Sequence, residues 1–150
     1  MGNLLLLNGP NLNRLGKREP EIYGQETLTD IEMRLKKMAT VKGMTLHTKQ
    51  SNHEGTLIDW IHDAEGTYEG IVFNPGAYTH TSIAIRDAIS SVSVPVIEVH
   101  LSNVHKREAF RHHSMLAPVC LGQIVGLGSK GYELALLYLI EQVRERGYNE

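Results

Sequence analysis

The residues with chemistry to offer in this chain cluster where apolar runs end. Asn8 and Asn11 follow Leu4-Leu5-Leu6-Leu7, and Ser51-Asn52-His53 follow the alternating run Met44–Gln50. Asn74 follows Gly70-Ile71-Val72-Phe73, while Glu98, His100 and Ser102 fall at the end of the run that starts at Val96. The set is rich in neutral hydrogen-bonding groups and poor in acids, which suits a polyhydroxylated small molecule. A single Asn or Ser in such a place is ordinarily a turn former or helix cap; gathered at one edge they make a site. Glu98 and His100 stand two apart, so on a strand they share a face. There the carboxylate can set the tautomer of the imidazole and favour its protonated form, making His100 a candidate general acid.

A second source of chemistry is NGPNLNRLGKREPEIYG, residues 8–24. Gly9, Pro10, Gly16, Pro20 and Gly24 argue against a helix or strand here. Loops of this length inside compact domains are usually lids, binding loops or disordered, and this one is not low-complexity. Residues 9–24 are therefore expected to form a lid, with glycines near both ends as hinges. The loop carries Arg14, Lys17, Arg18 and one phenol, Tyr23. A phenol with an ordinary pKa of about 10 is mostly protonated at neutral pH. Arg18, close to it in the same loop, favours the phenolate. Lowering the pKa by about three units takes roughly 4 kcal/mol of differential interaction, which a closed, dry site can supply and an open loop cannot. Lid closure and base activation are thus expected to be coupled.

The elements that must position these groups read as alternating strands and helices. Leu4–Leu7 is a strand buried on both faces, Met44–Gln50 a half-exposed strand nearer a sheet edge, and Gly70–Phe73 a second fully buried strand. Val96–His100 follows Pro95, and Gln123–Val125 gives a fifth. Thr29 with Glu32 and Ser51 with Glu54 read as capping boxes opening helices; the first buries Ile31, Leu35 and Met38 and ends near Gly43, the second buries Leu57, Ile58, Ile61 and Ala64. Further helices are expected over Thr81–Ser91 and Tyr132–Glu145. Strands separated by helical patterns make a parallel sheet with helices on both faces, and ligands bind beyond the carboxyl ends of its strands. His80 lies before a helix N-terminus, where the macrodipole disfavours imidazolium and suits a neutral ligand. Arg111 could clamp a carboxylate or hydroxyl, although an Arg beside His112-His113 is by default a solvated face.

The order of residues in the loop closely resembles the N-terminal signature of the type II 3-dehydroquinate dehydratases: GPNLN, then LGKREPEIYG. FNPGAYTHTS at 73–82, EVHLSN at 98–103 and REAFRHHS at 107–114 resemble further family motifs in the same order. The resemblance implies one catalytic domain over residues 1–150 with a flavodoxin-like, doubly wound five-stranded sheet of order 2-1-3-4-5. It implies dehydration of 3-dehydroquinate to 3-dehydroshikimate, a lyase step of the shikimate pathway that serves aromatic amino acid biosynthesis. Tyr23 is then the base and Arg18 its essential arginine; Asn11 stabilises an enolate and His100, supported by Glu98, protonates the departing hydroxyl. Asn74, His80, Asp87, Leu101 (through its backbone), Ser102 and Arg111 bind substrate. Asp87, on a helix beyond reach of its own site, enters that of a neighbouring subunit. The assembly implied is a dodecamer of four trimers, consistent with the surplus of apolar positions at Leu134, Leu136, Leu137, Leu139 and Ile140.

Composition bounds the alternatives. A length of 150 residues and a net charge of -2, with the basic residues dispersed, fit a single enzyme-sized domain and argue against nucleic acid. The single Cys120 excludes an internal disulfide and fits a cytoplasmic location; between Val119 and Leu121 it reads as a small buried hydrophobe. Leu4–Leu7 is too short for a signal sequence and no stretch is long enough to cross a bilayer. Gly126-Leu127-Gly128-Ser129-Lys130-Gly131 matches G-x-G-x-x-G, yet the further strand and acid of a dinucleotide fold do not follow. The eight histidines offer no metal-binding spacing, so neither metal nor organic cofactor is expected. The competing class is a flavodoxin-like binding or receiver module. A receiver needs acids where Asn8 and Asn74 stand, and a flavin module needs a phosphate loop that GPNLN is not.

Tyr23→Phe removes one oxygen from a side chain that the core does not require. It is expected to keep the fold and substrate binding while turnover nearly vanishes. Retention of more than about a tenth of wild-type kcat, about 1.4 kcal/mol in the barrier, would place the base elsewhere.

Overall fold

Four consecutive leucines can be buried only if both faces of a strand are covered, and that is how the chain folds. In the computed structural model, which describes residues 2–17 and 19–149 apart from the side chains at 22, 23, 148 and 149, Leu4 to Leu7 have no solvent exposure. They form β1 (Asn3–Asn8), whose neighbours are β2 (Thr45–Gln50) and β3 (Gly70–Asn74). β4 (Val96–His100) and β5 (Gly122–Val125) complete a five-stranded sheet of order β2-β1-β3-β4-β5, parallel throughout. This is the flavodoxin-like order expected, with β2 at an edge as its alternating pattern implied.

Alternate residues of β1 feed opposite sides. Leu4 and Leu6 join Val72, Ile97 and Val99 beneath α2 (Leu28–Val41) and α5 (Lys130–Asn149). Leu5 and Leu7 join Ile71, Phe73 and Val96 beneath α3 (Glu54–Ala64) and α4 (Ile83–Ser91). Fully burying each such side chain stabilises by about 1.5–3 kcal/mol, so the sheet centre dominates the stability of the molecule.

Three local expectations differ from what forms. Helix α2 is capped by Thr27, not Thr29: its hydroxyl accepts from the Asp30 amide and the Asp30 carboxylate accepts from the Thr27 amide. Starting two residues earlier turns Leu28 into the core, and Asp serves in place of the Glu the motif ordinarily carries. Ser51 and Glu54 do not make a capping box either. His53 occupies the N-cap of α3, the Ser51 hydroxyl accepts from the His53 amide, and Glu54 instead accepts a hydrogen bond from the Ser82 hydroxyl at 2.6 Å. Finally, residues 9–24 are not helix-free. A 3-10 turn spans Leu12–Arg14 and a one-turn helix, α1, spans Pro20–Tyr23. Pro20 stands at its start, where no amide donor is needed, and Gly24 closes it through its amide to the Pro20 carbonyl.

Candidate active site

The carboxyl ends of β1, β3 and β4 meet at one pocket. It is lined by Asn11, Asn74, His80, His100, Ser102 and Arg111 among others, with Leu12 and Leu15 as an apolar wall. The loops after β1 and β3 cross in close contact to form its floor. A Cβ on Gly9 would come within 2.6 Å of the Pro75 carbonyl oxygen, and one on Gly76 within 3.0 Å of the Pro10 oxygen. Only glycines permit this crossing.

Beneath the floor the Tyr132 hydroxyl of α5 joins two strand ends. It donates to Asn8 Oδ1 at 2.5 Å and accepts from Asn74 Nδ2 at 2.9 Å, while Asn74 Oδ1 accepts the Gly76 amide. The Asn74 amide is thereby locked in one orientation. Asn11 adopts a left-handed backbone with φ 70 and donates its amide to Asn52 Oδ1. Asn52 therefore braces the loop; it does not line the pocket.

His100 and Glu98 pair as the two-residue spacing implied, with His100 Nε2 to Glu98 Oε2 at 2.5 Å. The carboxylate has no solvent exposure. Burial alone pushes its pKa up, but the His100 hydrogen bond and charge and the hydroxyls of Thr79 and Ser114 outweigh it, so Glu98 stays below the ordinary 4.5. His80 is lowered, chiefly by burial, against a hydrogen bond from Nδ1 to the His113 carbonyl. It is held toward neutrality as expected, though burial and not the α4 dipole is the main cause. With the Nδ1 proton given to that carbonyl, its Nε2 is an acceptor.

The chain matches the sequence profile of dehydroquinase class II over residues 2–140. It is 65% identical over 141 residues to the 3-dehydroquinate dehydratase of Halalkalibacterium halodurans, covering 94% of this chain and 97% of that one. The corresponding protein of Bacillus pumilus is 63% identical over 142 residues, at 95% and 97% coverage. The type II dehydroquinase structure from Propionibacterium acnes superposes with a TM-score of 0.90 at 45% identity, covering 94% of this chain and 97% of that one. This chain belongs to the class II dehydroquinase family.

Of the residues singled out in this class II dehydroquinase, Asn11, Asn74, His80, His100, Leu101, Ser102 and Arg111 line the one pocket, and Glu98 stands behind His100. Asp87 is exposed on α4 away from it. Arg18 lies outside the described residues, as does the side chain at position 23. Arg111 pairs with Glu108 at 2.9 Å and reaches the pocket from a 3-10 turn, so it is more than a solvated face. Cys120 is half-buried among apolar neighbours, its thiol pushed up to about 12 by burial and then by the Glu98 charge.

Sequence reasoning missed Arg107, which lines the same pocket and donates to the Ser102 hydroxyl at 3.3 Å. Its place at the head of the REAFRHHS motif was the signal that could have found it. Thr79, Ser114 and Tyr132 were also missed, because their side-chain partners Glu98, Asn8 and Asn74 lie 16 or more residues away in the sequence and leave no spacing signal. The G-x-G-x-x-G stretch serves the fold. Its Gly126 and Gly128 amides donate to the carbonyls of His100 and Leu101, at 3.1 and 3.0 Å. Both glycines have positive φ, 87 and 60, so the loop clamps the end of β4.

A folded-state pKa depressed below the unfolded value contributes stability that is present above that unfolded value and is lost as pH falls through the folded one. Glu98→Gln is therefore expected to be less stable than wild type at neutral pH. The gap should narrow as pH falls from neutral to below the ordinary 4.5. Urea midpoints for both proteins across this range check it; a gap independent of pH would mean that the ionised form contributes nothing.

Proposed function

We infer that this chain dehydrates 3-dehydroquinate to 3-dehydroshikimate by removing an α-proton and expelling the β-hydroxyl as water. The observation that carries the mechanism is the His100–Glu98 pair facing a pocket otherwise lined by neutral hydrogen-bonding groups. Tyr23, as phenolate favoured by Arg18, takes the proton α to the ketone; the electron pair moves to the ketone oxygen as an enolate. Asn11 and the donors around it stabilise that charge. Collapse of the enolate breaks the bond to the β-hydroxyl, which takes a proton from imidazolium His100. Since His100 Nε2 donates to Glu98, Nδ1 is the nitrogen that serves the substrate. Solvent then returns both groups to their starting states.

Substrate hydroxyl and carboxylate groups fall to Asn74, His80, Ser102 and Arg111. Arg107 joins them on the strength of its position in the pocket wall. The Leu101 carbonyl already accepts from Gly128, so its amide is the backbone group offered to substrate. Residues 9–24 act as the lid: the crossing at Gly9 anchors the segment at its base, and Leu12 and Leu15 carry its apolar side to the pocket. Among the described residues no helix is long and apolar enough to cross a membrane, and the single cysteine fits action in the cytoplasm.

Incubation with 3-dehydroquinate should produce the ultraviolet absorbance of the conjugated enone, and sodium borohydride added with substrate should not inactivate. A lysine adduct by mass spectrometry would replace the enolate route by an imine; absence of product would favour a non-catalytic binding module.

The proposed assembly is a homo-oligomer, a dodecamer of four trimers. Ile83, 60% exposed, and Asp87 stand one turn apart on α4, and Leu134 and Tyr138 stand likewise on α5 beside exposed Leu121. Such faces support subunit contacts, with Asp87 completing a neighbour's site. Light scattering should give an oligomeric mass, and mild denaturant should lower activity before the fold melts. A fully active monomer would refute the assembly and leave the chemistry intact.

A further inference from the structure

The carboxylate behind His100 is held by groups from three separate segments. Thr79 belongs to the 3-10 turn Gly76–His80 after β3 and is 1% exposed; its hydroxyl donates to Glu98 Oε2. Ser114 lies in the irregular stretch after Arg111 and donates to Glu98 Oε1 at 2.9 Å. The two segments are tied to each other by the Met115 amide, which donates to the Thr79 carbonyl at 2.7 Å.

The direction of these bonds follows from counting protons. Ser114 Oγ accepts the amides of Leu116 and Ala117 at 3.1 and 2.9 Å. With both lone pairs occupied, the single Ser114 proton is left for the carboxylate. Thr79 Oγ1 approaches Ser114 Oγ at 2.9 Å, but with those lone pairs filled its own proton also goes to Glu98. His100 Nε2 supplies a third donor. Three donors converge on a carboxylate without solvent exposure, the arrangement that keeps a buried carboxyl ionised.

We propose that Thr79 and Ser114 are positioning residues for the acid step: their hydroxyl protons hold Glu98 as an anion, so that the shared proton stays on His100 and can be delivered to the leaving hydroxyl. This role rests on the dehydration assigned above. Without the two donors the desolvated carboxylate takes the proton of its partner, leaving a neutral imidazole and a neutral acid. The other charged or titratable groups around the carboxylate are His80 from the turn after β3, Arg111 beyond His80, and the Cys120 thiol from the segment before β5. Neither His80, held toward neutrality, nor the protonated thiol supplies a charge to replace the lost donors.

The test uses Thr79→Val, which keeps the shape and deletes the hydroxyl, with Thr79→Ser as the conservative control and Ser114→Ala read in parallel in case one variant does not fold. Thr79→Val and Ser114→Ala are expected to lose about tenfold or more in kcat with KM changed less than about threefold, the split that marks a step after binding. The acid limb of their kcat profile should move to higher pH by about half a unit or more, while Thr79→Ser stays near wild type. An active wild type whose Thr79→Val and Ser114→Ala variants keep an unmoved acid limb overturns this role alone. So does a Thr79→Ser protein as impaired as Thr79→Val, which would show packing and not the hydroxyl at work. A wild type without turnover overturns the reaction and this role with it.

Discussion

The Glu98 carboxylate sits on β4, two residues before its end, with no contact to water, and much of the surrounding structure follows from the need to keep an ion there. A carboxylate taken out of water costs several kcal/mol unless hydrogen bonds and a partner charge replace the hydration it loses. His100, Thr79 and Ser114 make that replacement. Each comes from a different part of the chain, so the turn after β3 and the irregular stretch before β5 must pack against the end of β4 in one geometry. The same packing half-buries His80 and sets its Nδ1 toward the His113 carbonyl. The stacked arrangement of His80 and His100, with ring centroids 6.4 Å apart, is in this sense a consequence of where the carboxylate had to go.

The sheet is the rigid part of this design. Burial of β1, β3 and β4 on both faces leaves their carboxyl ends little freedom, and short loops with glycines at contact points bring those ends together. Gly9 and Gly76 let two loops cross; Gly126 and Gly128 let a third return over the end of β4. Side chains projecting from such ends are positioned by the whole core and not by the loops alone. By contrast, Arg111 reaches the pocket from the 3-10 turn Ala109–Arg111 and Arg107 from the residue that follows the turn Val104–Lys106, both outside the sheet. That division suits groups that receive a substrate as against groups that must transfer a proton at a fixed distance.

The sheet was legible because its strands announce themselves: Leu4 to Leu7 and Gly70 to Phe73 are apolar without interruption, and Pro95 marks where β4 can begin. The strand ends named most of the pocket for the same reason. Helix starts were less legible. Thr27 and Thr29 are both hydroxyls two residues apart, and only the demand that Leu28 face the core selects the first. Ser51 and Glu54 have capping-box spacing, yet Glu54 is drawn away by Ser82, a partner 28 residues on. The hydroxyls of Thr79, Ser114 and Tyr132 act on side chains that come near only when the sheet is complete. No local pattern encodes such a contact. The family membership and the dehydroquinase motifs identified the chemistry earlier than any geometric reading could.

The hydrogen bond from Tyr132 to Asn8 joins residues 124 positions apart, and it bears on how the protein acquires activity as it folds. The floor of the pocket needs the first strand and the last helix at once, with Asn74 of the middle strand between them. Contacts of such long range form late, because the loop closure they require is not rewarded until most of the sheet exists. A nascent chain still lacking its C-terminal helix therefore has its strand-end asparagines unlocked, however well β1 to β4 have paired. The pocket floor is complete only once the final element has docked, so regain of activity during refolding requires complete topology and not local structure alone.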